Sequence, residues 1–378
     1  MKLAFFLASL LAPALLAASC NREIGTEEIS VTLTPSELQC GYEAQTLQFN
    51  VDATASFESY TNDEWISGIT PSFSDNPKGT VSFKVTENLS TSARTGGVLV
   101  RVGTTISKVK VVQEGHPKDE SAITCPLDGY DLVWNDEFDT DAVNTGKWKF
   151  ENWNKGWVNN ERQYYVSGGE FDGVKTAFVE DGALHIVATK YEGHQKFNGS
   201  TDINGEVISA RMNTKSSWKY GYFEASIWLP KGKGTWPAFW MMPNDQSLGW
   251  PACGEIDIME EVGVDANKTS SSVHTKSYNH VMNTQKTASR TTAGAESGYH
   301  TYALEWTADY IQSYVDGKPL LKFANDGKGN NDTWPFNKAF YITLNLAWGG
   351  DWGGYAGVDE SALPATMKVD YVRVFQKK

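Results

Sequence analysis

The run Gly254-Glu255-Ile256-Asp257-Ile258-Met259-Glu260 places three carboxylates within six residues, with apolar side chains between them. In a strand successive side chains alternate faces, so Glu255 and Asp257 share one face and Ile256 and Ile258 the other. Glu260 is out of phase with its partners. It returns to their face when one residue is bulged, most simply Ile258 or Met259, and bulges often re-aim a side chain beside an active site. The pattern predicts three acids on one face of a buried strand. Like charges this close repel, and burial raises their pKa values, a strain that catalytic sites exploit. The chemistry that needs two neighbouring carboxyls is glycoside hydrolysis: one protonates the leaving oxygen, and the other attacks the anomeric carbon or activates water. Discounting the bulge, the two glutamate Cα atoms lie roughly 13 Å apart along the strand. Side chains leaning together could reach the ~5–5.5 Å of a retaining pair or stay at the ~6.5–9.5 Å of an inverting one, so spacing leaves the stereochemistry open. The competing reading is the acidic solvent face of an amphipathic strand.

Around these acids the chain reads as strands joined by long aromatic-bearing loops. Tyr220–Pro230, Lys338–Asn345 and Met367–Val374 alternate apolar and polar residues, and no stretch sustains a helical period. A region of about 250 residues built this way predicts one large β-sandwich. Trp236, Trp240 and Trp250 flank the acids in sequence and are candidates for stacking on sugar rings, with core packing as the competing role. Trp348 and Trp352 sit in a Gly-rich run that could border a cleft.

Composition separates an earlier part of the chain. Of the 14 tryptophans only Trp65 precedes residue 116. That part is rich in Thr, Ser and Val, with alternating runs at 47–51, 81–85 and 108–112 between turn signals such as Asn76-Pro77-Lys78-Gly79. It predicts an immunoglobulin-like sandwich over 28–115, a polar linker over 116–127, and the large domain over 128–378. Trp65 is read as core rather than a sugar platform. The fold class expected is all-β throughout.

The 378 residues carry 33 Lys+Arg against 46 Asp+Glu, a net charge of −13. That disfavours nucleic acid and anionic membrane surfaces as partners and suits a neutral polymer. Met1-Lys2 followed by the apolar stretch Leu3–Ala18 reads as a signal peptide over 1–19 rather than a membrane span. It ends at Ala17-Ala18-Ser19-Cys20, which resembles a bacterial lipobox with Ala17 where Leu is usual. Lipidation of Cys20, a tether over 20–27 and a location at the outer-membrane surface or in the periplasm of a Gram-negative bacterium follow as expectations. Ordinary cleavage with soluble export is the alternative. Membrane contact is expected only through that anchor, and a monomer is expected. Cys40, Cys125 and Cys253 are odd in number and widely spaced, so they imply neither a disulfide framework nor a metal site. Cys253 reads as a small apolar residue.

Two resemblances follow. The blocks Asn62–Ile66, Gly79–Phe83, Ser92–Gly96 and Val111–Gly115, with Phe57 ahead of the tryptophan, resemble the BACON domain of exported carbohydrate-active proteins. A spacer role is favoured there over sugar binding. The later region resembles glycoside hydrolase family 16, β-jelly-roll endo-glucanases, and within it the laminarinase-like branch. The resemblance rests on Trp134–Phe138, Asn159–Tyr165, Ser209–Met212, Tyr220–Ala225, Lys231–Trp240, Gly249–Glu255 and Met367–Val374, in that order. It implies Glu255 as nucleophile, Glu260 as general acid/base, Asp257 as the partner of the nucleophile, and a retaining mechanism without a required cofactor. It further implies sugar contacts from Asn160, Arg211 and His274, a cleft position for Trp236 and Trp240, and a structural calcium near Glu137 and Asp370. Arg211 pairing with the acidic strand and a purely structural His274 stay open. The implied substrate is β-1,3-glucan or mixed-linkage β-1,3-1,4-glucan. An agarase-like galactan hydrolase is the enzymatic alternative, and a non-catalytic glucan-binding surface protein is the other.

Overall fold

The computed structural model describes residues 29–88, 93–116 and 123–378. The expected signal peptide, Cys20, the tether and part of the linker lie outside the described residues. The chain divides into two compact units, the first built on Thr46–Val85 and Gly96–Val111, the second on Val112–Lys378.

Before residue 114 the strands form two sheets. One runs Val31–Thr34, Gln45–Ala53, Lys78–Val85, Ile66–Thr70; the other Glu37–Cys40, Thr105–Gln113, Arg94–Val102, Phe57–Tyr60, Phe73–Ser74. Alternation decides what is inside. Phe49, Val51, Val81 and Phe83 are buried from one sheet, and Val98, Val100, Val109 and Val111 from the other. Phe57 is buried, and Trp65 is half-buried, its ring over Gly96, where any Cβ would clash.

The second unit is a jelly-roll sandwich of a ten-stranded and a seven-stranded sheet. In the larger sheet the long strand Ala365–Lys377 pairs with Ala183–Lys190, Gly221–Trp228 and Tyr130–Asp136. In the smaller sheet, in chain order, we label β1 Trp148–Phe150, β2 Arg211–Thr214, β3 Thr235–Pro243, β4 Glu255–Glu260, β5 Lys268–His274, β6 Lys286–Thr291 and β7 Phe340–Trp348. Their spatial order is β1-β2-β7-β3-β4-β5-β6. Leu184, Phe223, Ile227, Leu304 and Trp306 of the larger sheet join Met212, Phe239, Ile256, Val273, Ile342 and Leu344 of the smaller in one core. Ile256, Ile258 and Met259 are all in it and at most 1% exposed. Burying each contributes about 1.5–3 kcal/mol. That apolar face offsets the cost of the three acids on the other side of β4.

Candidate active site

The bulge predicted from the acid spacing is present. Against β3, Asp257 pairs Trp240 and Met259 pairs Phe239, which leaves Ile258 as the extra residue; against β5, Asp257 pairs Ser272 and Glu260 pairs Ser270. Two consecutive side chains, Ile258 and Met259, therefore enter the core, and Glu260 comes round to the face of Glu255 and Asp257. Registers carry that face across the sheet. One row is Arg211, Asn345, Ala238, Glu260, Ser270; the next is Asn213, Thr343, Trp240, Asp257, Ser272. Gly254 sets the entry to β4: its φ is +86°, and a Cβ there would lie 2.8 Å from Pro335.

Each outer acid has its own indole donor. The Trp250 Nε1–H donates to Glu255 Oε2 at 2.6 Å, and the Trp236 Nε1–H donates to Glu260 Oε1 at 3.0 Å. Asp257, between them and 2% exposed, faces His274 with Nε2 3.2 Å from Oδ2. Burial, then the Asp257 charge, pushes Glu255 up to about 8. Burial also pushes Asp257 up to about 7. Glu260 is raised well above the usual carboxylate range, first by burial and then by Asp257. Glu255 and Asp257 bring carboxyl oxygens within 4.8 Å of each other and of a His274 ring nitrogen, so they titrate as a pair that shares a proton. Asp257 lies the lower of the two, so Glu255 holds the shared proton in the resting site, while the Trp250 indole donor favours the Glu255 anion once that proton moves. The site thus holds one carboxylate anion beside one protonated carboxyl, with a second protonated carboxyl at Glu260. Such a set can attack an electrophilic carbon and protonate a leaving oxygen.

The other sequence-predicted residues separate into groups. Trp240 lies on the cleft face; its Nε1–H donates to Asn345 Oδ1 at 2.7 Å, and the Arg211 guanidinium stacks over its ring at 4.7 Å. Arg211 is buried and its Nε lies 3.7 Å from Glu151, so its ion pair is with Glu151 rather than with the acidic strand. Trp236 packs edge-on against Trp352 at 5.5 Å, which brings Trp352 to the cleft. Trp348 does not border it: the ring is 1% exposed in the core and closes over Gly234. His274 is buried against Asp257 and serves that acid. Asn160 is exposed, donates to Asp351 at 2.8 Å, and lines a cavity of about 450 Å³ with Lys155, Glu161 and Arg162. Cys253 is buried, as expected of a small apolar residue.

Glu137 does not fit a calcium site. Both its oxygens are taken by Arg373, from Nε at 2.9 Å and a terminal nitrogen at 2.8 Å. A guanidinium in that position repels a divalent cation, which needs six to eight oxygen ligands. Asp370 alone makes no site.

Sequence reasoning missed the support behind Trp240. Asn345 Nδ2–H donates to the Tyr165 hydroxyl at 3.1 Å, which donates to Glu161 Oε2 at 3.1 Å; Gln163 donates to the same oxygen at 2.7 Å. The signal was available in β7, where Thr343 and Asn345 interrupt an otherwise apolar strand on one face. His280, whose ring lies 4.9 Å from that of Trp250, carried no such signal.

Residues 172–373 match the profile of glycosyl hydrolases family 16. The chain is 41% identical over 257 residues to a β-glucanase of Rhodothermus marinus, covering 65% of this chain and 85% of that protein. It is 34% identical to glucan endo-1,3-β-glucosidase A1 of Niallia circulans, covering 69% of this chain and 40% of that longer protein. Among solved structures, a variant of SCLam, a non-specific endo-β-1,3(4)-glucanase, superposes with a TM-score of 0.61 at 44% identity over 66% of this chain and 96% of that one; it holds a 1,3-β-D-cellobiosyl-glucose at its active site. With the jelly-roll sandwich and the acid triplet on its bulged strand, these matches establish that the chain belongs to glycosyl hydrolases family 16.

Proposed function

We propose that this chain is a retaining endo-β-glucanase that cleaves β-1,3 bonds of laminarin-type glucan, with mixed-linkage β-1,3-1,4-glucan as a second substrate. The observation that carries the reading is the bulged strand β4, which puts three acids on one aromatic-lined face and gives Glu255 and Glu260 separate indole donors. Likeness to glucanases of the same family supports the substrate class. Glu255, as the anion, attacks the anomeric carbon while Glu260 gives its proton to the leaving glycosidic oxygen. The C–O bond breaks and a glycosyl ester forms on Glu255. Glu260, now a carboxylate, takes a proton from water; that water attacks the anomeric carbon and releases Glu255. Asp257 is a positioning residue that takes up the shared proton as Glu255 becomes the attacking anion. Trp240, with Arg211 behind it, offers a flat face to a sugar ring.

The test is reducing-end release from laminarin, barley mixed-linkage glucan and agarose, with product sizing. Oligosaccharides from the two glucans with agarose untouched are expected. Cleavage of agarose alone would overturn the glucan assignment, and folded but inactive protein would favour the glucan-binding reading.

The organisation around this domain is part of the proposal: an immunoglobulin-like, BACON-like spacer over 28–115, a linker over 116–127, and a monomer anchored through lipid on Cys20 after export. Alternation in the first two sheets supports the spacer, and Ala17-Ala18-Ser19-Cys20 supports the anchor. Labelling with a radioactive fatty acid, lost in Cys20→Ser, tests the anchor.

A further inference from the structure

The cleft face runs on past Arg211 to an aromatic pair that the proposed chemistry leaves unused. The Glu151 backbone N–H donates to the Arg211 carbonyl at 2.9 Å, which sets Glu151 opposite Arg211 and carries the row Arg211, Asn345, Ala238, Glu260 to the edge of the sheet at β1. Just after β1, Trp153 and Trp157 lie face to face, with ring centroids 3.9 Å apart and planes 12° from parallel. Trp153 is held in place. Its backbone N–H and carbonyl both pair with Tyr165 at 3.0 Å, and its Nε1–H donates to Glu151. Trp157, stacked on that held ring, is 50% exposed.

Arg211 joins this pair to the cleft. Its guanidinium carbon lies 4.7 Å from the centre of the Trp240 ring and 5.9 Å from that of Trp157, so one side chain is within cation–π reach of both indoles and they are at most about 11 Å apart. Arg211 is 8% exposed, and its Nε, 3.7 Å from Glu151, makes no hydrogen bond among the described residues. A single half-exposed tryptophan is ordinary on a protein surface. This one is backed by a fixed ring, lies at the end of the row that carries Glu260, and shares a buried cation with the cleft tryptophan. A flat apolar face already locked by stacking loses little freedom when a ligand covers it. We propose that Trp157 is a second sugar platform, which stacks on a ring of the bound polysaccharide further from the acids than the ring on Trp240. Arg211, between them, donates to the intervening hydroxyls, and Trp153 is a positioning residue. The inference rests on the glucanase reading for the identity of the sugar chain, and it makes affinity depend on chain length.

The experiment titrates laminari-oligosaccharides of increasing length, from the disaccharide upward, into the full chain carrying Glu255→Gln, which stops turnover, and follows binding by calorimetry. Affinity is expected to climb with length and to take a last step of about tenfold when the chain reaches Trp157. Adding Trp157→Ala removes that step. Trp157→Tyr keeps most of it, because a flat ring remains, and the shortest oligosaccharides bind alike in all three proteins. An unchanged step in Trp157→Ala would overturn the proposal by making the stacked pair purely structural. An equal loss for the shortest oligosaccharides, or Trp157→Tyr no better than Trp157→Ala, would overturn it as well. Reducing-end release from laminarin by the wild type keeps the two readings apart. An active wild type with an unchanged step overturns this inference alone. Glucan neither bound nor cleaved overturns the glucan assignment, and agarose oligosaccharides then put the same question to Trp157.

Discussion

Trp250→Phe isolates the donor to the nucleophile. The substitution keeps an aromatic ring beside His280 and removes only the Nε1–H that reaches Glu255 Oε2 at 2.6 Å. A hydrogen bond to a charged group contributes about 1.5–3 kcal/mol. Trp250 is 38% exposed, so water competes for Glu255 and the lower end applies. At 1.36 kcal/mol per pKa unit, about 1.5 kcal/mol corresponds to about one unit. The sign follows from the form stabilised. The N–H favours the anion, so its loss raises the pKa of the Glu255 carboxyl. The anion is the reactive form, so activity is lost as pH falls through that value. The acidic limb of the kcat/KM profile on laminarin, measured by reducing-end release, is expected to move up by about one pH unit. The plateau above it should change little. An unmoved acidic limb, or one moved downward, would refute the role of the Trp250 donor in favouring Glu255 as the reactive anion.

Glu255→Gln should lower kcat by at least about 1,000-fold, while affinity for laminari-oligosaccharides measured by calorimetry stays within about threefold; lost binding in a folded variant would count against the nucleophile role. The same variant reports on stability. Folding raises the Glu255 carboxyl from its ordinary value to about 8, so its contribution to stability is fully present below about pH 4 and is lost as pH rises through about 8. Denaturant melts should therefore show Glu255→Gln gaining on wild type between those limits, and a constant difference would contradict the buried, raised carboxyl. Asn345→Ala breaks the relay from Glu161 through Tyr165 to Trp240; at about 1 kcal/mol for the lost bond, KM should rise about fivefold with kcat nearly unchanged, and a fall in kcat alone would show that Asn345 acts on the chemistry instead.

The acids and their bulge were legible in the sequence because strand alternation is a strict local rule. Three acids and three apolar residues in six positions satisfy it only with one residue added, and burying Ile258 and Met259 fixes which way the strand turns. The alternating runs and the ordered aromatic blocks likewise announced the sandwich. Pairing between distant segments was not legible. Asn345 lies 105 residues from Trp240, which the β7-β3 pairing brings beside it, and 180 from Tyr165, which reaches it from the larger sheet. Trp348 and Trp352 look equivalent in one Gly-rich run, yet one ring closes the core and the other meets Trp236, because the strand ends between them. Glu137 resembled a cation ligand until Arg373, 236 residues away, took both its oxygens. Sequence alone determined which faces of the strands would be polar, since that depends on neighbours one and two residues apart. Tertiary structure decided which polar groups would meet, because a carboxylate's partner is chosen by sheet order and burial rather than by distance along the chain.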